Sequence, residues 1–418
     1  MRKIITSFIM ILTMFSLMQG QTYSNKVYWV HGFRDGSSTW NTYKNALVPY
    51  ENQGTNISWS ENSSLNTAAI SLNARINNEV YPSKHAIVFG HSAGGIVARK
   101  AALSNNKIRS VITAGTPNQG AGIVTSLKNQ SLNNVAQTAI SKLQASLSFG
   151  TLAVGSLLPG VGNAIAMFLS AAFNIVGEVG QSLANNAIED VKADYSTVAA
   201  EDMNPDLSQN EFLRNLNSSN SSKPIINIYG NEDDNRLVRI AGTAINKLYN
   251  DTNTTDNCYD ETMFPYYNAA LATSTTFEVL HYAAGATTAV VGIFNPCYIA
   301  ASALNFSAAA SWTSTRRFIQ FDIHNEWDSM IGATHTDRIE NWHKFLWWSW
   351  CDVEYVTVYE NSDGFIPNNS SKMSGVNVQN IEVKGVNHLE MNSHDMMRQL
   401  LYNILNNGTR GDAFNYNL

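Results

Sequence analysis

HAIVFGHSAGGIVARKAAL, residues 85–103, reads as a short buried strand (His85–Phe89), a tight turn and an alanine-rich helix (Ala93–Leu103). The turn is Gly90-His91-Ser92-Ala93-Gly94, a G-x-S-x-G pattern in the strand-turn-helix context that a nucleophile elbow requires. Its glycines suit a bend so sharp that flanking side chains would strike the strand and helix. Ser92 is thereby lifted to the head of the helix, where the positive end of the helix dipole favours developing negative charge. Read as chemistry, Ser92 is a candidate nucleophile and the N–H of Ala93 a candidate oxyanion donor.

Outward from this unit, KVYWV (Lys26–Val30) is a β-branched and aromatic strand that ends at His31-Gly32. Further strands are expected at Ser110–Ala114, Pro224–Tyr229, Val353–Tyr359 and Val376–Val383, with a closing amphipathic helix over Asp395–Leu405. Alternating strands and helices predict an α/β fold, a mostly parallel sheet covered by helices on both faces, with loops that carry chemistry at the carboxyl ends of its strands. Two stretches break the alternation. Residues 121–222 contain an uncharged, glycine- and proline-interrupted run over Gly150–Gly177, read as an apolar helical lid; residues 235–350 are read as a helical cap, on segments such as Ala283–Ile293 and Trp342–Trp350.

Apolar residues make up 44% of the 418 and charged residues 14%, enough for a sizeable core and against bulk disorder. A formal charge of −6, with no basic run beyond Arg316-Arg317, excludes an electrostatic footprint for nucleic acid. Met1-Arg2-Lys3 followed by an uncharged stretch to Met18 matches an export signal over residues 1–20, ahead of a domain over 21–418 and a secreted, periplasmic or cell-surface location. Of three cysteines, Cys258 pairs most readily with Cys297, leaving Cys351; three unpaired thiols are the alternative, and the spacing suits no zinc site.

A serine hydroxyl needs a base to take its proton and a carboxylate to orient that base. His388, in VKGVNHLEM behind an expected strand, is favoured over His394, which falls at the start of the last helix; His31 and His91 are read as structural. For the acid, Asp363 in NSDGFIP is preferred to Asp233 in GNEDD, because the long second insertion separates Asp233 from His388. A second oxyanion donor is expected from the N–H of Phe33, in the loop after the first strand.

Together these segments resemble the secreted bacterial lipases and esterases of the α/β-hydrolase superfamily. The likeness is carried by WVHGF (Trp29–Phe33), GHSAGG (Gly90–Gly95), GTPNQG (Gly115–Gly120), SDGFIP (Ser362–Pro367), VNHLEMN (Val386–Asn392) and DMNPDLSQNEFLRNLN (Asp202–Asn217). It implies the α/β-hydrolase fold, a Ser92–Asp363–His388 triad with Phe33 and Ala93 as oxyanion donors, and a small-molecule or lipid ester as substrate, with contact at a lipid interface. No cofactor is implied. Some relatives hold a structural calcium beside the histidine loop, where Glu390 falls here; no partner carboxylate is evident, and no metal is expected. The histidine usual after the TP pair is Asn118 in this chain, and 235–350 matches nothing in the family pattern. Acyltransferase, thioesterase and peptidase chemistry use the same machinery, and a catalytically silent, hydrolase-like binding protein is the alternative of another class.

Overall fold

The computed structural model describes residues 25–33, 35–128, 197–219, 221–232, 236–240, 243, 264–292, 297–345 and 348–418. The export signal, the Gly150–Gly177 stretch, Asp233 and Cys258 lie outside them. Seven strands are described: β1 (Lys26–Val30), β2 (Ala86–His91), β3 (Ile108–Ala114), β4 (Ile225–Asn231), β5 (Thr334–Phe345), β6 (Trp348–Tyr359) and β7 (Val378–Lys384). Five form one sheet in the order β1-β2-β3-β4-β7, every neighbouring pair parallel.

The period of two in the strands divides the core between the faces of this sheet. Tyr28, Val30, Val88 and Val111 point to one side, against α2 (Leu65–Glu79) and α3 (Ala93–Ser104). Val27, Trp29, Ile87, Phe89 and Ile112 point to the other, against α1 (Asn41–Leu47) and the last helix, Asp395–Asn407. Parallel strands buried on both faces read as the continuous apolar runs seen in the sequence. The α/β class and both-face helical cover are therefore as expected.

The second insertion differs in part. Its first half is a pair of long helices, Phe264–Gly292 and Cys297–Arg317, running through a π-turn at Phe318–Asp322 into a shorter helix, Ile323–Ile331. The described residues of Trp342–Trp350, expected as helix, and Val353–Tyr359, expected as a strand of the main sheet, belong instead to an antiparallel ribbon of β5 with β6. The correction has a physical cause: these segments are rich in Trp, Tyr, Val and Thr, which fit a pleated ribbon, and a β-rich run says nothing about which sheet it joins. Trp342 and Tyr355 remain largely exposed on the ribbon.

Candidate active site

Ser92 stands between β2 and α3 with φ +52° and ψ −129°, and is the one non-glycine at positive φ among the described residues. Such a conformation costs about 1–3 kcal/mol and survives because its surroundings over-determine it. A Cβ built on Gly90 would stand 2.3 Å from the Gly94 carbonyl oxygen, and one on Gly94 would stand 2.4 Å from that of His31. Only glycine permits β1, the turn and α3 to approach so closely. The same packing brings the loop after β1 against Ser92: a Cβ on Gly32 would lie 3.0 Å from Ser92 Cβ. Phe33 follows directly in that loop, and Ala93, wholly buried, opens the helix.

His31 braces this loop. It is buried, stacks on Trp59 at 5.2 Å, and its carbonyl accepts from Trp59 Nε1 at 3.2 Å. Burial pushes its pKa down, against a smaller upward effect of the Gly32 carbonyl, which keeps the ring neutral near pH 7.

Asp363 and His388 meet as a hydrogen-bonded pair, Nδ1 to Oδ2 at 2.8 Å, with the Asp363 side chain wholly buried. The other carboxylate oxygen accepts the N–H groups of Phe365 at 3.0 Å and Ile366 at 2.7 Å, and the His388 N–H donates to the Asp363 carbonyl at 2.8 Å. The carboxylate is thus aimed before anything binds. Among the described residues, Ser92 and this pair are linked indirectly, through the end of β3: the Ser92 N–H donates to Ala114 O at 2.9 Å, and a Cβ on the residue after Ala114, Gly115, would sit 3.0 Å from His388 Nδ1 and 3.2 Å from Asp363 Oδ2. Gly115 has φ +55°. The glycine that follows β3 therefore leaves the room in which the imidazole and the carboxylate meet.

Other histidines have structural surroundings. His91 bonds the His388 carbonyl through Nε2 at 3.1 Å and packs 4.8 Å from its ring. His394 caps the last helix by accepting from Met396 N–H. Asn118 lies buried in a polar ladder, bonding Asn227 and accepting from Arg99 at 2.8 Å, so it serves the sheet. Arg99 is itself buried, and burial lowers its pKa to about 10.

Sequence reasoning missed Arg239. Its guanidinium lies 2.7 Å from Glu232 Oε1, at the end of β4, and 3.0 Å from both oxygens of Glu390, two residues past His388. Both carboxylates are buried. Glu390 also closes a capping box with Asn387 across the His388 turn, and Asn387 is tied to Thr243 at 2.9 Å. A calcium at Glu390 does not fit this arrangement, because the guanidinium already faces both of its oxygens. Among the described residues no group of three or more His, Cys, Asp or Glu could hold a metal. Trp327 was missed too: its Nε1–H bonds the Gly364 carbonyl at 2.9 Å, and its ring meets Phe365, which lies 5.5 Å from the His388 ring. Neither residue sits in a local pattern; each is found only by its partner. Cys351 is a free thiol on the ribbon.

No family model matches the chain, and no curated protein matches it in sequence. Among solved structures it is similar to phospholipase PlaB from Legionella pneumophila, at 17% identity over 24% of this chain and 27% of that one, with a TM-score of 0.22. It is also similar to MenH from S. aureus, at 18% identity over 55% of this chain and 84% of that one (TM-score 0.25), and to an epoxide hydrolase from Bacillus megaterium, at 11% over 50% and 77% (TM-score 0.23). The chain spans about a quarter of the length of the phospholipase. Its own parallel sheet, with a strained serine between strand and helix, has the architecture of the α/β-hydrolase fold.

Proposed function

We propose that this chain is an exported serine hydrolase that cleaves carboxylic esters, with lipid esters as the substrate class, through an acyl-enzyme on Ser92. The observation that carries the reading is the buried 2.8 Å Asp363–His388 hydrogen bond beside a serine held at positive φ. A scaffold without chemistry has no reason to bear that strain next to an aimed imidazole.

In this reading Ser92 Oγ attacks the ester carbonyl while His388 Nε2 takes the hydroxyl proton, and Asp363 holds Nδ1–H and stabilises the imidazolium. The N–H groups of Phe33 and Ala93 receive the oxyanion. The leaving alcohol departs with the proton from His388. Water, deprotonated by the same imidazole, then attacks the acyl-enzyme and releases the carboxylic acid. Export rests on the leader-like Met1–Gly20 segment, and the lipid preference on the apolar Gly150–Gly177 stretch.

The test is hydrolysis of p-nitrophenyl esters of increasing chain length by wild type and Ser92→Ala, with labelling by a fluorophosphonate probe. Wild type should turn over esters and take the label on Ser92, while the variant does neither. Equal rates in both proteins would end the proposal, and a monotonic preference for acetate would remove the lipid part of it.

A further inference from the structure

Between Glu278 and Arg316 the chain carries no Asp, Glu, Lys or Arg, although the helices Phe264–Gly292 and Cys297–Arg317 both expose side chains over their described residues in this span. Val279, Leu280, Val290, Ile299 and Leu304 are each more than half exposed. Isolated exposed apolar residues need no explanation, but this many on two paired helices with no charge among them do.

Many of the hydroxyl and amide groups on the pair are bonded within it. Thr287 and Thr288 donate to the carbonyls of Ala283 and Ala284 at 2.9 and 2.8 Å, and Thr313 to Ala309 at 3.0 Å. Ser302 donates across the crossing to Gly285 O at 2.9 Å, and His281 bonds Asn305 at 3.1 Å. The crossing is built on small residues, Phe306 lying directly over Gly285, where a Cβ would come within 2.9 Å of the ring. Close approach at small residues, interhelical side-chain hydrogen bonds and back-bonded hydroxyls are how helices pair where water is scarce.

The charge pattern matches a bilayer in depth. Arg316 and Glu278 form a 2.7 Å ion pair at one level of the helices, with Arg317 beside them. From that level to Gly292 the helix runs on for about 20 Å, against a hydrocarbon leaflet of about 15 Å. None of the described helices is long and apolar enough to cross a membrane. We propose that the paired helices Phe264–Gly292 and Cys297–Arg317 form a bilayer-docking element, whose uncharged outer face seats in one leaflet with Glu278, Arg316 and Arg317 at the headgroup level. The occupant is a lipid surface.

The seat is coupled to the site. The second helix continues without a break into Ile323–Ile331, whose Trp327 bonds the Gly364 carbonyl, and Trp327 packs on Phe365 beside His388. A docked pair would hold the acid and histidine loops at a set height over the lipid. This coupling rests on the ester-hydrolase reading; the docking itself does not.

The experiment is co-sedimentation of the purified protein with phosphatidylcholine vesicles, comparing wild type, Leu280→Glu/Ile299→Glu and, as a control on the hydrolase body, Val376→Glu. Leu280, Ile299 and Val376 are all exposed, so the variants should fold. Wild type and the control should bind, the double variant should bind at least tenfold less, and p-nitrophenyl acetate hydrolysis should be the same in all three. Failure of wild type to bind, equal binding by the double variant, or a wild-type dimer that the double variant dissociates would overturn the proposal, the last by making a second copy the occupant. Ser92→Ala should bind vesicles like wild type, so a failed hydrolase reading and a failed docking reading give different results.

Discussion

Arg239 joins two buried carboxylates that are far apart in the chain, and through them fixes the turn that carries His388. Removing the cation would break a buried ion pair to each of Glu232 and Glu390, a loss on the order of 3–5 kcal/mol. Arg239→Gln should therefore lower the unfolding free energy measured in urea by that amount and reduce kcat more than it raises KM. Arg239→Lys should recover only part of both, because an ammonium cannot fork to two carboxylates. Asp363 makes a sharper demand. Asp363→Asn keeps the shape but removes the negative charge that Nδ1–H faces, and kcat should fall roughly a thousand- to ten-thousand-fold with KM little changed. Asp233→Asn, measured beside it, should stay within a few fold of wild type; full activity of Asp363→Asn would reverse the choice of acid.

At the scale of elements, the strand-turn-helix unit was legible because its signals are local: an apolar run, glycines at fixed offsets, then alanine-rich helix. The helix Ile323–Ile331 was not, since its role lies in contacts to a loop distant in sequence. It also carries a pH-sensitive residue. Burial, and secondarily the charge of Arg236, pushes His324 down to about 4, whereas in the unfolded chain it titrates near its ordinary 6.5. Between these values the unfolded state binds the extra proton. Stability is then present at pH 7 and lost as pH falls through 6.5 toward 4, by about 2 kcal/mol by pH 5. Asp328, raised by burial on the same helix, contributes a slope of the opposite sign, so the comparison must be made against a variant. Urea unfolding at pH 7 and pH 5 should show a smaller acid-side loss in His324→Gln than in wild type; identical losses would exclude His324 as the source.

For the whole molecule, the sheet is closed at the amino ends of its strands by the carboxyl-terminal tail. Arg109 donates to the carbonyls of Asp412, Ala413 and Asn415, and Phe414 and Tyr416 are buried beneath. Phe414→Ala should cost about 3–5 kcal/mol in urea unfolding without changing KM, since the tail sits at the opposite end of the strands from Ser92. The amino-acid sequence alone determined the parallel α/β sheet, the elbow at Ser92 and the candidate set Ser92, Asp363 and His388, because strand and helix periods and turn glycines are written within a few residues of one another. Only the tertiary structure decided that Asp363 reaches His388, that Arg239 clamps the histidine turn, and that Thr334–Tyr359 leaves the main sheet as a ribbon. Those outcomes depend on which distant surfaces meet. A buried ion pair or a strand partner is chosen by the packing of the whole chain, and neither leaves a periodic trace in the segment that supplies it.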